Sequence, residues 1–172
     1  LAEVLYGDAA PSGKLPLTFY RSVNQLPDFQ DYNMKGKTYR YFEGEPLFRF
    51  GHGLSYTEFF YGKLKSDKRT LKEGQTLYLT VPVGNIEGEE VVQLYIQRPS
   101  DTEGPIQTLR DYRRVKLVAG ESEMVIFELT EEDFAWFDPA TNRMQPLKGE
   151  YVIRVGGTSD LNAQRTLRVT LK

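Results

Sequence analysis

The chain has 172 residues, no cysteine and one histidine, and its charge is nearly balanced, with 22 Lys and Arg against 24 Asp and Glu. The length suits one domain, or one domain with an appendage. Hydrophobic residues make up 40% and charged residues 27%, which is typical of a folded globular protein. The composition excludes a disulfide framework, a zinc–thiolate site and a cysteine nucleophile. The absence of a basic excess argues against nucleic acid as a partner, and no apolar run approaches the ~18–20 residues of a membrane-spanning helix.

The first predicted element is a short helix. Leu1, Val4 and Leu5 have the i, i+3, i+4 spacing of an apolar helical stripe, and Gly7 follows where a helix end favours a left-handed residue. Because so few residues cannot hold a helix alone, we expect them to be the end of a longer helix that begins upstream. A short apolar strand is predicted at residues 14–19.

Residues 20–60 are rich in aromatic side chains that are interleaved with Gly and Pro, and they show little regular periodicity. A long stretch without clear helices or strands does not easily form its own core. We therefore expect this segment to be an irregular connector that lies on another part of the protein.

From about Tyr61 onward the pattern changes to a series of short strands. Residues 77–83 alternate between apolar and other side chains, which predicts a half-buried strand, and Pro82 favours an edge position. The alternation recurs in four further segments, residues 91–96, 125–129, 151–155 and 167–171. About seven short strands in ~110 residues predict a mainly β fold, a two-sheet β-sandwich of the immunoglobulin or fibronectin type III kind. Trp136, the single tryptophan, is predicted to fill one end of the sandwich core.

Four motifs carry a resemblance to a known family: residues 11–19 (PSGKLPLTF), 36–42 (GKTYRYF), 45–57 (EPLFRFGHGLSYT) and 89–96 (EEVVQLYI). In this order they resemble the C-terminal end of a glycoside hydrolase of family 3, over essentially the whole chain. The sequence between the first two motifs is most similar to the β-xylosidase-type members. Two positions depart from the family pattern: Arg49 stands where the family usually has Pro, and the connection from Val83 to Glu89 is shorter than usual.

The resemblance implies a parent enzyme with a (β/α)₈ barrel, an α/β sandwich and a fibronectin type III-like domain in this order. Residues 1–60 would then be the C-terminal remnant of the α/β sandwich domain, with its last helix and strand, followed by the connector. Residues 61–172 would be the fibronectin type III-like β-sandwich. The family's nucleophilic Asp and its general acid, usually a Glu, are expected upstream in the barrel and the α/β domain. A retaining mechanism needs both carboxyl groups about 5–5.5 Å apart, so this segment alone is expected to be inactive.

The function predicted from this resemblance is that of a non-catalytic C-terminal portion that acts as a scaffold for the catalytic domains. Its parent would be a periplasmic or secreted β-glycosidase that removes terminal β-linked xylose or glucose from plant-type oligosaccharides. The expected partners are the upstream barrel and α/β sandwich, with the oligosaccharide bound through the parent, and no cofactor or metal is expected. Two alternatives stay open, a stand-alone carbohydrate-binding module and a complete small hydrolase.

Tyr39, Arg40 and Tyr41 are the candidate substrate-binding residues, because aromatic rings offer flat apolar platforms and arginine offers a planar fork of donors. The alternative interpretation is that Tyr39 and Tyr41 alternate along an extended segment and pack against an upstream domain. His52 could contact a sugar or act as a base, but the sequence has no Ser, Cys or metal-ligand partner at a recognisable spacing. A structural role in its Gly-His-Gly turn, with its ring bonded to the backbone, is therefore favoured.

The remaining charged clusters are predicted to be solvated. The acidic groups at residues 43–45, 87–90 and 131–133 lie in turns or beside caps, where a carboxyl pKa is not raised by burial as a glycosidase acid requires. The basic stretch at residues 110–116 is predicted to be the solvated face of a strand rather than a nucleobase-stacking surface. No catalytic residue is predicted within the chain.

Overall fold

Strands dominate the chain from residue 60 onward. The computed structural model describes residues 1–84 and 87–172, so part of the short connection between Val83 and Glu89 lies outside the described residues. The helical elements are α1 (Ala2–Tyr6), α2 (Thr38–Tyr41) and 3-10 turns at Val23–Gln25 and Glu131–Phe134. The strands are β1 (Phe60–Tyr61), β2 (Lys65–Ser66), β3 (Thr70–Leu71), β4 (Leu77–Gly84), β5 (Gly88–Gln97), β6 (Thr108–Leu117), β7 (Ser122–Leu129), β8 (Ala135–Asp138), β9 (Arg143–Pro146), β10 (Gly149–Gly156) and β11 (Arg165–Leu171).

The long strands form two sheets. In the first, β4 pairs antiparallel with β7 on one side and with the short strands β1 and β2 on the other. The second has the order β3–β11–β10–β5–β6 and is antiparallel except for the short parallel pair β3–β11. Strands β8 and β9 form a separate hairpin. Two sheets facing each other across one apolar layer make a β-sandwich, which confirms the predicted fold class.

The core follows the alternation that the sequence displays. Along β4 the side chains of Leu77, Leu79, Val81 and Val83 are buried, while the residues between them are more exposed. The inward residues of β5, β7, β10 and β11 join the same cluster. Each fully buried Val, Leu or Phe side chain contributes about 1.5–3 kcal/mol relative to exposure, so the sandwich holds most of the apolar stabilisation of the chain.

Pro82 does not lie at an edge, because its strand is central. It faces the place where β1 ends and β2 has not yet begun, and there the Gly62 N–H donates to the Pro82 carbonyl at 2.8 Å. A Cβ at Gly62 would come within 2.4 Å of the Pro82 ring. The interruption between two short strands thus accommodates a residue that lacks an N–H, which a continuous neighbouring strand would not.

Trp136 is buried in the core at the start of the β8–β9 hairpin, as predicted. The 3-10 turn before it carries a capping box, in which Thr130 and Asp133 each accept a hydrogen bond from the other's backbone N–H. Phe134 and Trp136 both pack edge-on against the Tyr151 ring. The capped turn therefore fixes the position at which the tryptophan enters the core.

The N-terminal segment contains the predicted helix but not a regular strand. Helix α1 ends at Gly7, whose φ of 86° is left-handed. Among the described residues, residues 14–19 have backbone partners near their two ends: the Leu15 N–H donates to the His52 carbonyl, and the Phe19 N–H donates to the Phe48 carbonyl, both at 2.8 Å. Pro16 lies between these pairs and has no N–H to continue a ladder.

None of the described helices has the length and apolar character needed to cross a bilayer.

Candidate functional site

Tyr39 anchors the connector to the sandwich. Its ring stacks on Phe50 with centroids 4.5 Å apart and meets the buried Tyr95 ring edge-on at 5.8 Å. Its hydroxyl oxygen accepts a hydrogen bond from the Leu109 N–H at 3.1 Å. Because its ring contacts two other aromatic rings and its hydroxyl has a backbone partner, Tyr39 is a packing residue of the fold rather than an open platform for a sugar.

Tyr41 and Arg40 have a different orientation from Tyr39, because residues 38–41 form a helical turn and not an extended segment. The interpretation that Tyr39 and Tyr41 alternate onto one face was therefore wrong. Successive residues of a helix are separated by about 100°, which places Tyr39 and Tyr41 on different sides. The Arg40 carbonyl accepts from the Ile106 N–H at 2.6 Å and so ties the turn to the loop between β5 and β6.

Thr38 starts this turn in an unusual backbone conformation. Its φ is 56°, a value that β-branched residues rarely adopt. The Thr38 N–H donates to the Tyr20 hydroxyl at 3.1 Å, and the Tyr20 ring packs edge-on against Phe42. These contacts hold the turn, and with it Arg40, in a fixed place.

Arg40 and Tyr41 line a cavity of about 520 Å³ between the connector and the sandwich. The β5–β6 loop, the start of β6 and the β8–β9 hairpin form its other walls. They contribute two further guanidinium groups, those of Arg98 and Arg110, together with Trp136. This volume lies within the ~300–1,000 Å³ range of small-molecule sites.

Arg110 reaches the cavity through a β-bulge. Leu94 pairs with Asp111 and Tyr95 pairs with Leu109, so Arg110 is the extra residue between them. Its guanidinium donates to the Ala135 carbonyl and lies 5.9 Å from the centre of the Trp136 ring. Burial lowers the pKa of Arg110, and the positive charge of Arg40 lowers it further.

Arg98 lies beside the hydroxyl of Tyr151. Burial raises the pKa of Tyr151, and the nearby Arg98 charge opposes that rise. Across residues 1–84 and 87–172, none of Arg40, Arg98 and Arg110 has a carboxylate within 4.0 Å.

The two acidic residues of the cavity wall are engaged elsewhere. Asp101 accepts from the Trp136 indole N–H at 2.5 Å and from the Gly104 N–H at 2.9 Å. Glu103 pairs with Lys35 at 3.0 Å on the exposed rim. A Cβ at Gly104 would lie 2.0 Å from an Asp101 oxygen. The loop therefore requires glycine at this position if Asp101 is to accept the hydrogen bond from the Trp136 indole.

Sequence reasoning placed Arg110 on a solvated strand face together with Arg113 and Arg114. Those two arginines are exposed and pair with Asp111 and Glu89, but Arg110 is half-buried in the cavity. Side chains two or four residues apart lie on the same face of a regular strand, so Arg110 and Arg114 would share one face of β6. The bulge places them on different faces. No pattern in the sequence singled out Arg98 or Asp101.

The other candidates have structural partners. The His52 ring stacks on Phe48 at 4.8 Å and its carbonyl accepts from Leu15, so the ring's contact is aromatic rather than the backbone bond expected. Glu45 pairs with Arg49, and Asp133 caps its turn. The prediction that the acidic residues are solvated was wrong for Glu90, which is buried because Lys14 pairs with it. Within the part of the chain that the structure describes, no three His, Asp or Glu side chains are arranged to hold a metal ion.

Comparisons with known proteins divide the chain into two matched segments. The family model of the glycosyl hydrolase family 3 C-terminal domain matches residues 1–56, and that of the fibronectin type III-like domain matches residues 90–159. A xylan 1,4-beta-xylosidase of Xylanibacter ruminicola is 41% identical over 174 residues, which cover 99% of this chain and 20% of that protein.

Solved structures agree with the sequence matches. A β-glucosidase from Erythrobacter marinus superposes with a TM-score of 0.80 at 37% identity, over 99% of this chain and 23% of that one. A β-glucosidase from Listeria innocua in complex with isofagomine gives a TM-score of 0.80 at 31% identity, over 99% of this chain and 26% of that one. The chain thus spans between a fifth and about a quarter of the length of these relatives. By both matched segments, it belongs to the C-terminal region of glycosyl hydrolase family 3.

Proposed function

We propose that the chain is the non-catalytic C-terminal portion of a family 3 β-glycosidase and acts as a scaffold for the parent's catalytic domains. Residues 61–172 are the fibronectin type III-like sandwich, and residues 1–60 are the end of the α/β sandwich domain with the connector. The parent hydrolyses terminal β-linked xylose or glucose from plant-type oligosaccharides and is periplasmic or secreted. The xylosidase and glucosidase relatives support the β-glycosidase activity proposed for the parent.

The connector combines an anchored part with an exposed part, and this combination carries the proposal. The anchored part contacts the sandwich through the Tyr39 ring on Tyr95 and through the Arg40 carbonyl, which accepts from the Ile106 N–H. The exposed part leaves large apolar side chains in solvent, with Phe29 exposed at 94% and Tyr32 at 89%. Exposed apolar surface of this kind marks an interaction site, which is the arrangement expected of a strap between the sandwich and a preceding domain.

A stand-alone binding module for neutral polysaccharide is less well supported. Such a module needs several aromatic rings aligned on one surface. The exposed aromatics of residues 61–172 are divided among three sheets, with Tyr78 on β4, Tyr112 on β6 and Phe137 on β8. Tyr95, Phe127, Phe134, Trp136 and Tyr151 are in the core.

Hydrolysis assays test the proposal directly. The purified chain is expected to give no turnover of nitrophenyl β-xyloside or β-glucoside above a buffer blank, because the double displacement would have neither nucleophile nor proton donor. Binding titrations with unsubstituted xylohexaose are expected to show no saturation. Turnover that survives further purification would contradict the non-catalytic role, and saturable binding of xylohexaose would favour the binding module.

A further inference from the structure

The cavity between the connector and the sandwich has an unbalanced charge. The Arg40 and Arg110 guanidinium groups are close enough for the charge of one to lower the pKa of the other, and Arg98 adds a third cation to the wall. A lysine in this position could release its proton, whereas a guanidinium cannot. Both charges therefore persist, and Asp133, whose charge acts on the pKa of Arg110 in the opposite direction, has a smaller effect than Arg40.

Arg40 is the cation most available to such an anion. Within residues 1–84 and 87–172, its guanidinium makes no ion pair or side-chain hydrogen bond, and its Nε is buried without a partner. Its guanidinium carbon lies 5.5 Å from the centre of the Tyr41 ring. Arg110 directs one terminal nitrogen to the Ala135 carbonyl, and its buried Nε has no hydrogen-bond partner among the described residues.

Two irregular features of the backbone position these guanidinium groups. Thr38, with its left-handed φ, aims the turn that carries Arg40, and the β-bulge turns Arg110 away from the solvated face of β6. Bulges commonly re-aim a side chain beside a functional site. Two independent departures from regular geometry thus bring the guanidinium groups to one cavity.

Apolar side chains, among them Tyr41, Phe137 and Met144, line another part of the wall, beside the two carboxylates that bond to Trp136 and Lys35. Planar guanidinium groups bind a carboxylate through paired hydrogen bonds, and the apolar wall suits the C–H face of a sugar ring. We infer that the cavity binds a carboxylate-bearing sugar, a uronic acid unit of an oligosaccharide, with Arg40 as the principal contact to the carboxylate. The choice of a sugar rests on the proposed function, since the parent would act on plant-type oligosaccharides.

The test is a titration of the 172-residue chain with three probes: xylotriose bearing one glucuronic acid unit, unsubstituted xylotriose and inorganic phosphate. Calorimetry gives the affinity, and the fluorescence of Trp136, the single tryptophan, reports on the cavity. We expect saturable binding of the acidic oligosaccharide that weakens with added salt, no binding of xylotriose, and weaker binding of phosphate. Equal binding of xylotriose or of phosphate would overturn the assignment to a sugar acid.

Two variants separate binding from folding. Arg40→Gln should weaken the binding of the acidic oligosaccharide roughly 10- to 100-fold, which is the effect of losing a charged hydrogen-bonded pair. The control Arg114→Gln alters an exposed arginine of β6 that pairs with Glu89 of β5, and it should not change the affinity.

The melting temperature of the unliganded chain distinguishes the two roles of Arg40. Arg40→Gln removes the repulsion with Arg110, so the melting temperature should stay the same or rise. Arg40→Lys keeps the charge but not the planar pair of donors, so it should retain only part of the affinity for the acidic oligosaccharide. A melting temperature that falls together with the affinity would make Arg40 a structural residue and overturn the proposal. If the acidic oligosaccharide does not bind and no aryl glycoside is hydrolysed, this inference fails while the proposed scaffold role stands.

Discussion

The Nζ atom of Lys14 lies 2.8 Å from an Oε1 atom of Glu90, and the Glu90 side chain is 6% exposed. Lys14 belongs to the N-terminal segment, whereas Glu90 lies near the start of β5, opposite Val115 of β6. The same Glu90 oxygen accepts from the Val91 N–H at 2.7 Å. A carboxylate this deeply buried requires a cation, so the pair ties the folding of the N-terminal segment to that of the sandwich.

Lys14→Met should destabilise the chain by about 3 kcal/mol, because it leaves the Glu90 carboxylate buried without its cation. Urea unfolding followed by circular dichroism measures the change. The double variant Lys14→Met/Glu90→Leu is the control and should recover most of the loss, since an apolar pair of similar volume avoids the desolvation of both charges. A single variant as stable as the wild type would show that Glu90 does not depend on Lys14.

Tyr61 lies next to this pair and sets an alkaline limit on stability. Burial raises the pKa of Tyr61, and the charge of Glu90 raises it further. Burial also raises the pKa of Tyr95, with Tyr39 as the second cause. An acid whose pKa is higher in the folded state is neutral there, so its contribution is complete below the unfolded value of about 10 and is lost as the pH rises above it.

The free energy of unfolding should therefore fall above pH ~10, by about 1.4 kcal/mol per pH unit for each such tyrosine. Tyr61→Phe removes one of the titrating groups, so it should reduce this slope by about 1.4 kcal/mol per pH unit. The same variant should not destabilise the chain at pH 7, because the Tyr61 hydroxyl is buried with no hydrogen-bond partner among the described residues. Denaturation at pH 7, 10 and 11 checks both effects, and an unchanged alkaline slope would contradict the assignment to Tyr61.

The sandwich could be predicted from the sequence because its signal is local. Alternation along β4 and β7 reports directly which residues face the core, and the Thr130 and Asp133 pair marks the capped turn before Trp136. The cavity could not be predicted in this way. At the β-bulge, the Arg110 side chain departs from the regular alternation of β6. The bulge depends on the pairing of β6 with β5, a strand more than ten residues earlier in the chain.

The helical turn α2 was missed for a related reason. Residues 38–41 contain one threonine and two tyrosines, which favour extended structure, and Thr38 adopts a left-handed φ. Tertiary contacts hold the turn: the Ile106 N–H donates a hydrogen bond to the Arg40 carbonyl, and the Tyr39 ring stacks on the Phe50 ring. Such contacts override a local preference and leave no periodic trace in the sequence.

Trp136→Ala should cost roughly 3–5 kcal/mol, the usual effect of removing a large buried aromatic side chain. Trp136→Phe is the matched control. It keeps most of the apolar contact with Tyr151 but removes the indole N–H that Asp101 accepts, so it should cost less and should loosen the β5–β6 loop. Thermal unfolding measures both variants, and a near-wild-type melting temperature for Trp136→Ala would mean that the indole does not contribute to the core.

Residues 61–172 should fold without the rest of the chain, since their two inward faces form one core of a size that such domains support. The truncated protein should show a cooperative thermal transition and dispersed amide NMR signals. It should also be less stable than the full chain, because Glu90 loses Lys14 and Tyr95 loses Tyr39. Glu90→Gln in the truncated protein should restore part of the loss, and a molten product that binds ANS would instead make the connector part of the core.

Backbone protection should differ sharply between the connector and the sandwich. Between residues 21 and 37, several N–H groups donate to exposed neighbouring side chains, as Gln30 does to Asp28 and Asn33 to Asp31, so local opening costs little. Strand β5 is paired on both sides, by β6 and β10. Hydrogen exchange read out by NMR should therefore be fast across residues 21–37 and slow across residues 92–96.

We also expect the chain to self-associate, because the rings of Phe29 and Tyr32 are exposed at 94% and 89%. Sedimentation should show concentration-dependent association that the double variant Phe29→Ser/Tyr32→Ser reduces, since contiguous apolar surface drives such contacts. The control Tyr112→Ser changes an exposed ring on β6, away from the connector, and should leave association unaltered. A monomer at all concentrations, with connector amides protected as well as those of β5, would mean that the connector has a core of its own.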